Sequence, residues 1–416
     1  MNPLLDEPKR NARRGTWSSL AYRDYRVLWL GTIAVIVAQE LRLQSAVVWL
    51  YDETGSAAQL GLLGLIQLVV QIPALLFGGT LADRLDRRRL VASTQAVSCV
   101  FVAGIASLAL VDALAPWHIY VATAVLSVSS VFGNPARNAL IAATVPREQL
   151  VDAVTTNWVT QQIATVVGPL TFAAVAEFVN LDATFVLAAG VAAPAALLPL
   201  LLRASGVPEG GDEGGSMLRR TWEGLRFVRD HPLLPALYLL DTGVTVVSFY
   251  RQLFPVLADQ LYGGGAGAVG LLTAANSAGA IGGSFVVLAL RRFKRTGLIV
   301  LIAHVIYALL LFPFALTPWL PLGMLLVAGL GGMDAISVTV RQATVHLTTP
   351  DAMRGRALSV LVLSAQSANN VGTLWVGMLS AAIGASSTLL VGGASSLAFV
   401  AWAWRGVRGL REYRAP

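Results

Sequence analysis

Charge is scarce in this chain, because only 13% of its 416 residues are charged whereas 56% are hydrophobic. A soluble protein of this length carries roughly twice that charged fraction. Cysteine occurs once, at Cys99, so an intrachain disulfide is excluded and a cysteine-based metal cluster is not expected. Before the first apolar run, Met1–Tyr25 is polar and basic, which argues against a cleavable signal peptide.

Residue patterns of catalysis are missing as well. The four histidines are scattered without the spacing of a metal site: His118, His231, His304 and His346. The phosphate-binding pattern G-x-x-x-x-G-K-[ST] does not occur, and no nucleophile stands out beside a base as hydrolase chemistry requires. The sequence therefore predicts neither an enzyme nor a bound cofactor or metal, and no use of ATP bound to this chain.

Long apolar runs dominate the rest of the sequence. Each is about 20 residues long, the length that crosses a ~30 Å hydrocarbon core. They predict an all-α membrane protein with twelve transmembrane helices. Within the eighth run, Ala275, Gly279 and Gly283 have the small-xxx-small spacing of a helix contact. The predicted spans are 27–50, 58–80, 91–111, 117–136, 151–175, 182–202, 233–257, 266–290, 297–315, 318–340, 357–383 and 386–404.

The basic residues are distributed unevenly. Of the 30 Lys and Arg residues, 28 fall in the termini or in alternate loops, and the other two, Arg42 and Arg251, lie inside spans. The opposite loops carry acids, for example Asp112 and Asp259. This positive-inside pattern predicts a multi-pass protein of a bacterial plasma membrane with both termini in the cytoplasm. The net charge of +7 thus indicates topology and contact with anionic lipids, and we expect no nucleic-acid partner.

The sequence repeats itself weakly at one offset. Arg137 and Arg341 lie 204 positions apart, and each is followed nine residues later by a proline. The same shift relates Gly78-Gly79 to Gly282-Gly283. This repeat predicts two pseudo-symmetric halves of six helices in the same orientation. The predicted organisation is a cytoplasmic segment 1–26, a first half 27–203, a linker 204–232, a second half 233–405 and a cytoplasmic tail 406–416.

The linker contains two kinds of sequence. Residues 205–216 are rich in glycine and acids, which is typical of a flexible connection. After them, Leu218, Trp222 and Leu225 share one helical face and arginines surround it. This segment is predicted to be an amphipathic helix on the cytoplasmic membrane surface, and the alternative is an ordinary solvated connector.

The loop between spans 2 and 3 carries the pattern Gly79-x-x-x-Asp83-Arg84-x-Asp86-Arg87-Arg88. With two six-span halves and a cytoplasmic linker, this pattern resembles the major facilitator superfamily over essentially the whole chain. A departure occurs at Gly168-Pro169, which begins like the G-P-x-x-G-G element of drug/proton antiporters but lacks its later glycines. The stretches that resemble the enterobactin-exporter-like and macrolide-efflux-like branch are 54–56, 81–89, 135–137, 255–259 and 350–356.

A charge inside a span is costly, ~3 kcal/mol or more for an Asp or Arg at the bilayer centre, and five such residues are candidates for function. They are Glu40, Arg42, Asp241, Arg251 and Asp334. They belong to spans 1, 7 and 10, and the resemblance implies that these spans and span 4 line a central cavity. Glu40 and Arg42 point to nearly opposite helix faces, so each needs its own partner. Glu40 is our first candidate for proton coupling, and the alternative is a structural ion pair with Arg251 or another span.

Polar side chains recur at steps of three or four residues in spans 4, 7 and 10, which places them on single helix faces. We predict that these faces, with part of span 1, line a substrate or water path. The alternative is that serines and threonines bond to their own backbone and that aromatic rings pack in the core. The candidates are Gln44, Ser127, Ser130, Asn134, Thr245, Ser248, Tyr250 and Gln252.

The resemblance also implies a cytoplasmic latch between the halves. In it, Asp83 approaches the N-terminus of span 11, where the helix dipole favours a negative charge. The arginines beside it pair with acids or lipid phosphates. The alternative for a loop acid is simple solvation. The residues assigned to the latch are Gly79, Asp83, Arg84, Arg87, Arg88, Arg137 and Arg341.

Together these expectations predict a secondary active transporter that works by alternating access. The branch resemblance implies a proton-coupled exporter of a small organic compound, drug-like or siderophore-like. Uptake of a metabolite by symport is the alternative within the same fold, and a membrane receptor or sensor is the alternative from another class. As partners we expect the small-molecule substrate, protons or another coupling ion, and membrane lipids, with the protein a monomer.

Overall fold

A computed structural model describes residues 17–82, 85–204, 206, 217–290, 293, 295–407, 411 and 413, without the side chains of 76–82, 217, 218 and 220. Regular structure within these residues consists of fourteen α-helices and four short 3₁₀ turns. The first helices are α1 (Arg23–Thr54), α2 (Ala57–Ala82), α3 (Arg87–Leu110), α4 (Pro116–Thr144), α5 (Leu150–Phe178), α6 (Leu181–Leu197) and α7 (Met217–Asp230). The others are α8 (Leu234–Val247), α9 (Phe254–Tyr262), α10 (Ala266–Leu290), α11 (Thr296–Leu316), α12 (Leu320–Thr348), α13 (Asp351–Ile383) and α14 (Ala385–Gly406).

Ten helices of the described chain are long and apolar enough to cross a membrane, or eleven if Thr221–Asp230 and Leu234–Tyr262, which meet at 103°, form one bent span. The predicted class, an all-α membrane protein, is thereby confirmed, although the predicted number of twelve is not reached. Helix α13 has 33 residues but is not among the ten. Polar residues such as Gln366 and Asn370 interrupt its apolar sequence.

The seventh predicted span is broken rather than continuous. Helix α8 ends at Val247, a 3₁₀ turn covers Tyr250–Leu253, and α9 starts at Phe254. Pro255 stands in the first turn of α9, where its missing N–H leaves no helical hydrogen bond unmade. The carbonyl freed at Ser248 accepts a hydrogen bond from the Tyr307 hydroxyl at 2.9 Å. A backbone carbonyl at the break, which no longer belongs to a helix, is therefore hydrogen-bonded by a side chain of α11.

The chain forms two compact units. The first comprises residues 1–46 and 73–215, and the second comprises 47–72 and 216–416. In the first unit, α3 packs between α4 and α6, and α5 contacts α6. Tyr25 of α1 is buried and donates its hydroxyl proton to the Ala153 carbonyl of α5 at 2.7 Å. Asp86 caps α3 by accepting from the backbone N–H of Arg88 at 2.8 Å, so part of the charged loop is the start of a helix.

The second unit includes the end of α1 and most of α2. Helix α2 approaches α13 very closely, because glycines face each other. A Cβ on Gly61 would lie 3.3 Å from the Gly377 Cα, and one on Gly64 would lie 2.6 Å from the Thr373 Cβ. Two turns further along α2, Gln71 accepts a hydrogen bond from Asn370 at 3.1 Å.

A second close approach joins α10 and α12, as the small-residue spacing in span 8 predicts. A Cβ on Gly279 would lie 2.6 Å from the Ala328 Cα, and one on Gly283 would lie 2.8 Å from the Gly332 Cα. No such neighbour exists at the adjacent Gly282, which has nothing within 4 Å of the added atom in the described chain. Positions 279 and 283 of α10 therefore have no room for a side chain.

The paired glycines of α10 provide a direct test of this packing. We expect Gly283→Ala to lower the stability of the protein by about 1–3 kcal/mol, because the methyl group forces α10 and α12 apart. Gly282→Ala is the matched control, and its helix propensity favours a small gain. Thermal unfolding of the purified protein in detergent measures both. Equal unfolding temperatures for the two variants would contradict the close contact.

His231 lies at the bend between α7 and α8 and caps the start of α8. It follows α7, and its Nδ1 accepts from the backbone N–H groups of Leu233 at 3.2 Å and Leu234 at 3.3 Å, at the start of α8. Only a neutral imidazole whose Nδ1 lacks a proton can do this. Burial lowers the pKa of His231 from its ordinary value of 6.5, while a bond to the Thr348 backbone opposes that change.

This cap predicts a pH dependence of stability. The pKa of His231 is lower in the folded protein than in the unfolded chain, so its contribution is complete above about pH 6.5 and is lost as the pH falls below that value. We expect wild-type protein to lose thermal stability from about pH 7 to pH 5. His231→Asn keeps a capping oxygen and should flatten this slope. A slope unchanged by the substitution would refute the assignment.

Candidate functional site

A group of charged side chains lies inside the second unit and is called the charged cluster below; its members are Asp241, Arg251, His304, Asp334 and Arg341. Asp241 of α8 and Arg341 of α12 form an ion pair between Oδ2 and Nη1. Both side chains are less than a tenth exposed, at 8% and 4%. The Nε2 atom of His304 in α11 lies 4.0 Å from the other carboxylate oxygen of Asp241. Three helices thus bring their polar groups to one buried point.

The apolar surroundings determine how strong these interactions are. Leu237, Leu240 and Val244 of α8 are buried around Asp241, and Ile336 and Val340 are buried on α12. In such a low-dielectric environment an unpaired charge is very costly, whereas a paired one is held in a defined place. The pairing of Asp241 with Arg341 therefore holds α8 against α12.

The other half of the charged cluster is accessible. Arg251, in the 3₁₀ turn before α9, lies 3.7 Å from Asp334 of α12. Both side chains are about half-exposed, at 44% and 42%. Asp334 occupies the position two helical turns before Arg341, on the same side of α12. The charged cluster therefore has a buried end at Asp241 and an open end at Asp334.

Glu40 and Arg42 belong to the first unit. A Cβ on Gly168 of α5 would lie 2.6 Å from the Glu40 Cβ, so this glycine makes room for the acidic side chain. Gly168 is also the residue at which the sequence begins to resemble the antiporter element. Both Glu40 and Arg42 have intermediate exposure. The proton role of Glu40 stays a prediction.

Arg137 and Arg341, the arginines related by the repeat, lie in different environments. Arg137 is 7% exposed, and its Nη2 donates to Asn134 at 2.9 Å. Its Nε and Nη1 have no hydrogen-bond partner among the residues that the structure describes. The position 204 residues before Asp241 is Val37, so the first half carries no acid there. Both arginines were assigned to the latch, and the structure places both guanidinium groups in the interior.

The remaining residues assigned to the latch lie near the start of α3 or outside the residues that the structure describes. The backbone N–H of Arg87 donates to the Gly206 carbonyl at 2.9 Å, and the Arg88 guanidinium donates to the Leu200 carbonyl. Asp83 and Arg84 are outside the described residues, as are the surroundings of Gly79. The latch therefore stays a prediction.

The polar residues predicted for a substrate path have varied partners. Tyr250 is 3% exposed and donates to Asn276 at 2.5 Å, with its ring against Phe254 and Phe314. Ser130 and Ser248 bond to backbone carbonyls of their own helices. Gln252 donates to the Leu60 carbonyl at 3.1 Å, Ser127 is buried, and Thr245 lies beside the charged cluster. Gln44 and Asn134 have intermediate exposure.

His304 was not among the residues that we singled out from the sequence. Histidine is counted as neutral at pH 7, so a search for charged residues inside spans does not find it. A usable signal was nevertheless present: the span that contains it, Thr296–Leu316, is the most apolar of the candidate spans in the described residues. A titratable ring in so apolar a segment needs a specific partner.

The Asp241–Arg341 pair has a measurable energetic consequence. Asp241→Asn leaves the buried Arg341 guanidinium uncompensated, and we expect a loss of about 3–5 kcal/mol of stability. The matched control is Asp334→Asn, where the ion pair is half-exposed and contributes about 1 kcal/mol or less. Thermal or denaturant unfolding in detergent compares the two. If both variants unfold alike, the buried pair does not hold α8 to α12.

Known proteins resemble this chain in both sequence and fold. A family model described as transmembrane secretion effector, of the major facilitator type, matches residues 14–411. The enterobactin exporter EntS of Escherichia coli O81 (strain ED1a) is 27% identical over 363 residues, which make up 86% of this chain and 83% of that protein. EntS of Citrobacter koseri is 26% identical over the same length and the same shares.

A solved structure supports the same architecture. The nucleoside transporter NupG superposes with a TM-score of 0.71 at 13% identity, covering 94% of this chain and 100% of that one. At such low identity the likeness establishes the fold alone. The family match, in contrast, extends over nearly the whole sequence. The chain therefore belongs to the transmembrane secretion effector family and is a membrane transporter of the major facilitator fold, not an enzyme.

Proposed function

We propose that this transporter exports a small organic compound from the bacterial cytoplasm across the inner membrane, driven by the proton gradient. The observation that carries this proposal is the relationship to curated proteins named as enterobactin exporters, which covers 86% of the chain. A siderophore-like or drug-like compound is the substrate class that fits best. The polar candidates on α1, α4 and α8 with the following turn would then contact it.

Ionisable groups inside the spans support coupling to protons. A carboxylate held away from bulk water changes its charge when it takes up a proton, and so changes which partners it attracts. Glu40 on α1 and the charged cluster on α8, α11 and α12 offer such groups in both halves. We assign Glu40 and the cluster acids Asp241 and Asp334 as coupling candidates, with Arg42 and Arg251 as charge partners.

Alternating access requires contacts that open and close. The α2–α13 contact at Gly61 and Gly377 lies near the predicted outer ends of these helices, and a transport cycle would have to separate it. On the cytoplasmic side we retain the latch as a proposal, with Asp83 and the arginines of the charged loop. The same proposal places both termini in the cytoplasm. It also treats the protein as a monomer in contact with anionic lipid.

Transport in everted membrane vesicles tests the proposed function. We expect enterobactin or another member of a panel of siderophores and drugs to accumulate when the vesicle interior is made acid. Glu40→Gln should reduce this accumulation to the level seen with a protonophore, because the amide cannot bind the coupling proton. Glu53→Gln, the same exchange at the exposed end of α1, is the matched control and should behave as wild type.

Two results would contradict the proposal. Accumulation only in right-side-out vesicles with an acid exterior would indicate uptake by symport. Transport that continues in Glu40→Gln at the wild-type rate would remove this residue from the coupling mechanism.

A further inference from the structure

A small internal void lies at the buried end of the charged cluster. Its volume is about 20 Å³, and its polar lining comes from Asp241, Thr245, His304, Tyr307, Asp334 and Ser337. A water molecule needs roughly 10–15 Å³ and two or more polar partners. The Ser337 hydroxyl is 2% exposed at the residue level and has no hydrogen-bond partner in the described chain. Size and chemistry therefore suit one water molecule between two carboxylates and an imidazole.

The hydrogen bonds of His304 define which ring nitrogen faces the acids. Its Nδ1 lies 2.8 Å from the Val300 carbonyl oxygen, one helical turn earlier. A carbonyl only accepts, so Nδ1 carries the proton. In the neutral ring, Nε2 then has a free lone pair, and this atom lies 4.0 Å from the Asp241 carboxylate. The ring is thus held with its basic nitrogen toward Asp241.

We propose that His304 Nε2 is a binding site for the coupling proton, reached from the open end of the charged cluster through a water molecule in the void. The proton arrives on water at the half-exposed Asp334, passes to the water in the void, and forms the N–H bond at Nε2. The water that delivered it returns unchanged. On release the same N–H bond breaks and the proton leaves on water. The use of this step for transport rests on the proposed function.

The charges around the ring explain why protonation changes the structure. Asp241 faces the ring from α8 and Asp334 from α12, while Arg341 of α12 pairs with the Asp241 carboxylate. Tyr238 of α8 interacts with Arg341 and donates its hydroxyl proton to the Ala357 carbonyl. The imidazolium competes with Arg341 for the Asp241 carboxylate. Proton binding therefore weakens the contact that holds α8 to α12, and this contact is restored when the proton leaves.

The other elements packed on α11 add little charge. Tyr307 of α11 itself donates to the Ser248 carbonyl, and Arg251 lies beyond Asp334. Helix α14 also packs on α11, and it carries one charged residue, Arg405, in its last turn. The two arginines of the cluster disfavour a metal cation in the void, whereas a proton on Nε2 is held between two acids.

Nuclear magnetic resonance of the full-length protein tests the proton site directly. With isotope-labelled histidine only four residues give signals. His304→Asn identifies the signal of interest, and Asn retains an N–H donor near the position of Nδ1. We expect this signal to change from the Nδ1–H neutral form to the doubly protonated form between about pH 8 and pH 5. A His304 signal that remains neutral over this range would overturn the proposal.

A second variant tests the route through the void. Asp334→Asn removes one facing carboxylate, so the midpoint of the His304 titration should move to lower pH. The signal of His346, exposed on α12, is the internal control and should not move. A His304 midpoint that is the same in wild type and Asp334→Asn would show that Asp334 does not take part.

Transport then tests whether the site is used. With enterobactin as probe, His304→Asn should lower pH-gradient-driven transport by about tenfold or more, which corresponds to ~1.4 kcal/mol. Exchange of the probe at equal pH should continue, which a merely misfolded variant would not show. His346→Asn is the control. Gradient-driven transport at the wild-type rate in His304→Asn would refute the role of His304 in coupling. A wild-type protein that transports no compound of the panel would contradict the proposed function instead. In that case the titration of His304 alone decides whether it binds a proton.

Discussion

The ion pair between Asp241 and Arg341 is the interaction on which the second unit depends. Each charge alone would be intolerable among the leucines, valines and isoleucines around it, and each is stable because the other is present. The pair joins the seventh and tenth spans at their buried faces. Since His304 lies against the same carboxylate, the contact that stabilises these helices is also one that a proton can alter. Stability and the proposed proton-driven movement thus share the same atoms.

Close helix contacts complement this polar anchor. In a membrane, water cannot drive helices together, so packing must come from backbones that approach closely. The α10–α12 contact uses Gly279 and Gly283 in this way, and α2 meets α13 through Gly61 and Gly377. The first contact is reinforced by the charged cluster on α12, whereas the second ends in hydrogen bonds from Asn370 and Gln366 to Gln71. A contact of the second kind is easier to open without exposing a charge.

Much of the fold was predictable because the membrane imposes strong rules on the sequence. Apolar runs of fixed length locate the helices, and the distribution of arginines predicts topology. The break after Val247 was not predicted, because Pro255 and the polar residues before it are also compatible with a continuous helix. Of the charged cluster, Asp241, Arg251 and Asp334 were singled out from charge alone. Arg341 was placed in a latch, since a position near a span end does not reveal where its guanidinium points.

The sequence by itself determined that the chain is a helical membrane transporter, because composition, run length and the charged loop do not depend on how helices pack. Only the tertiary structure decided which charges meet. Asp241, His304 and Arg341 are far apart in the sequence, and no spacing rule relates them. Whether an ionisable residue is paired, solvated or held beside a second acid depends on three helices meeting at one point, and that meeting determines the chemistry of the site.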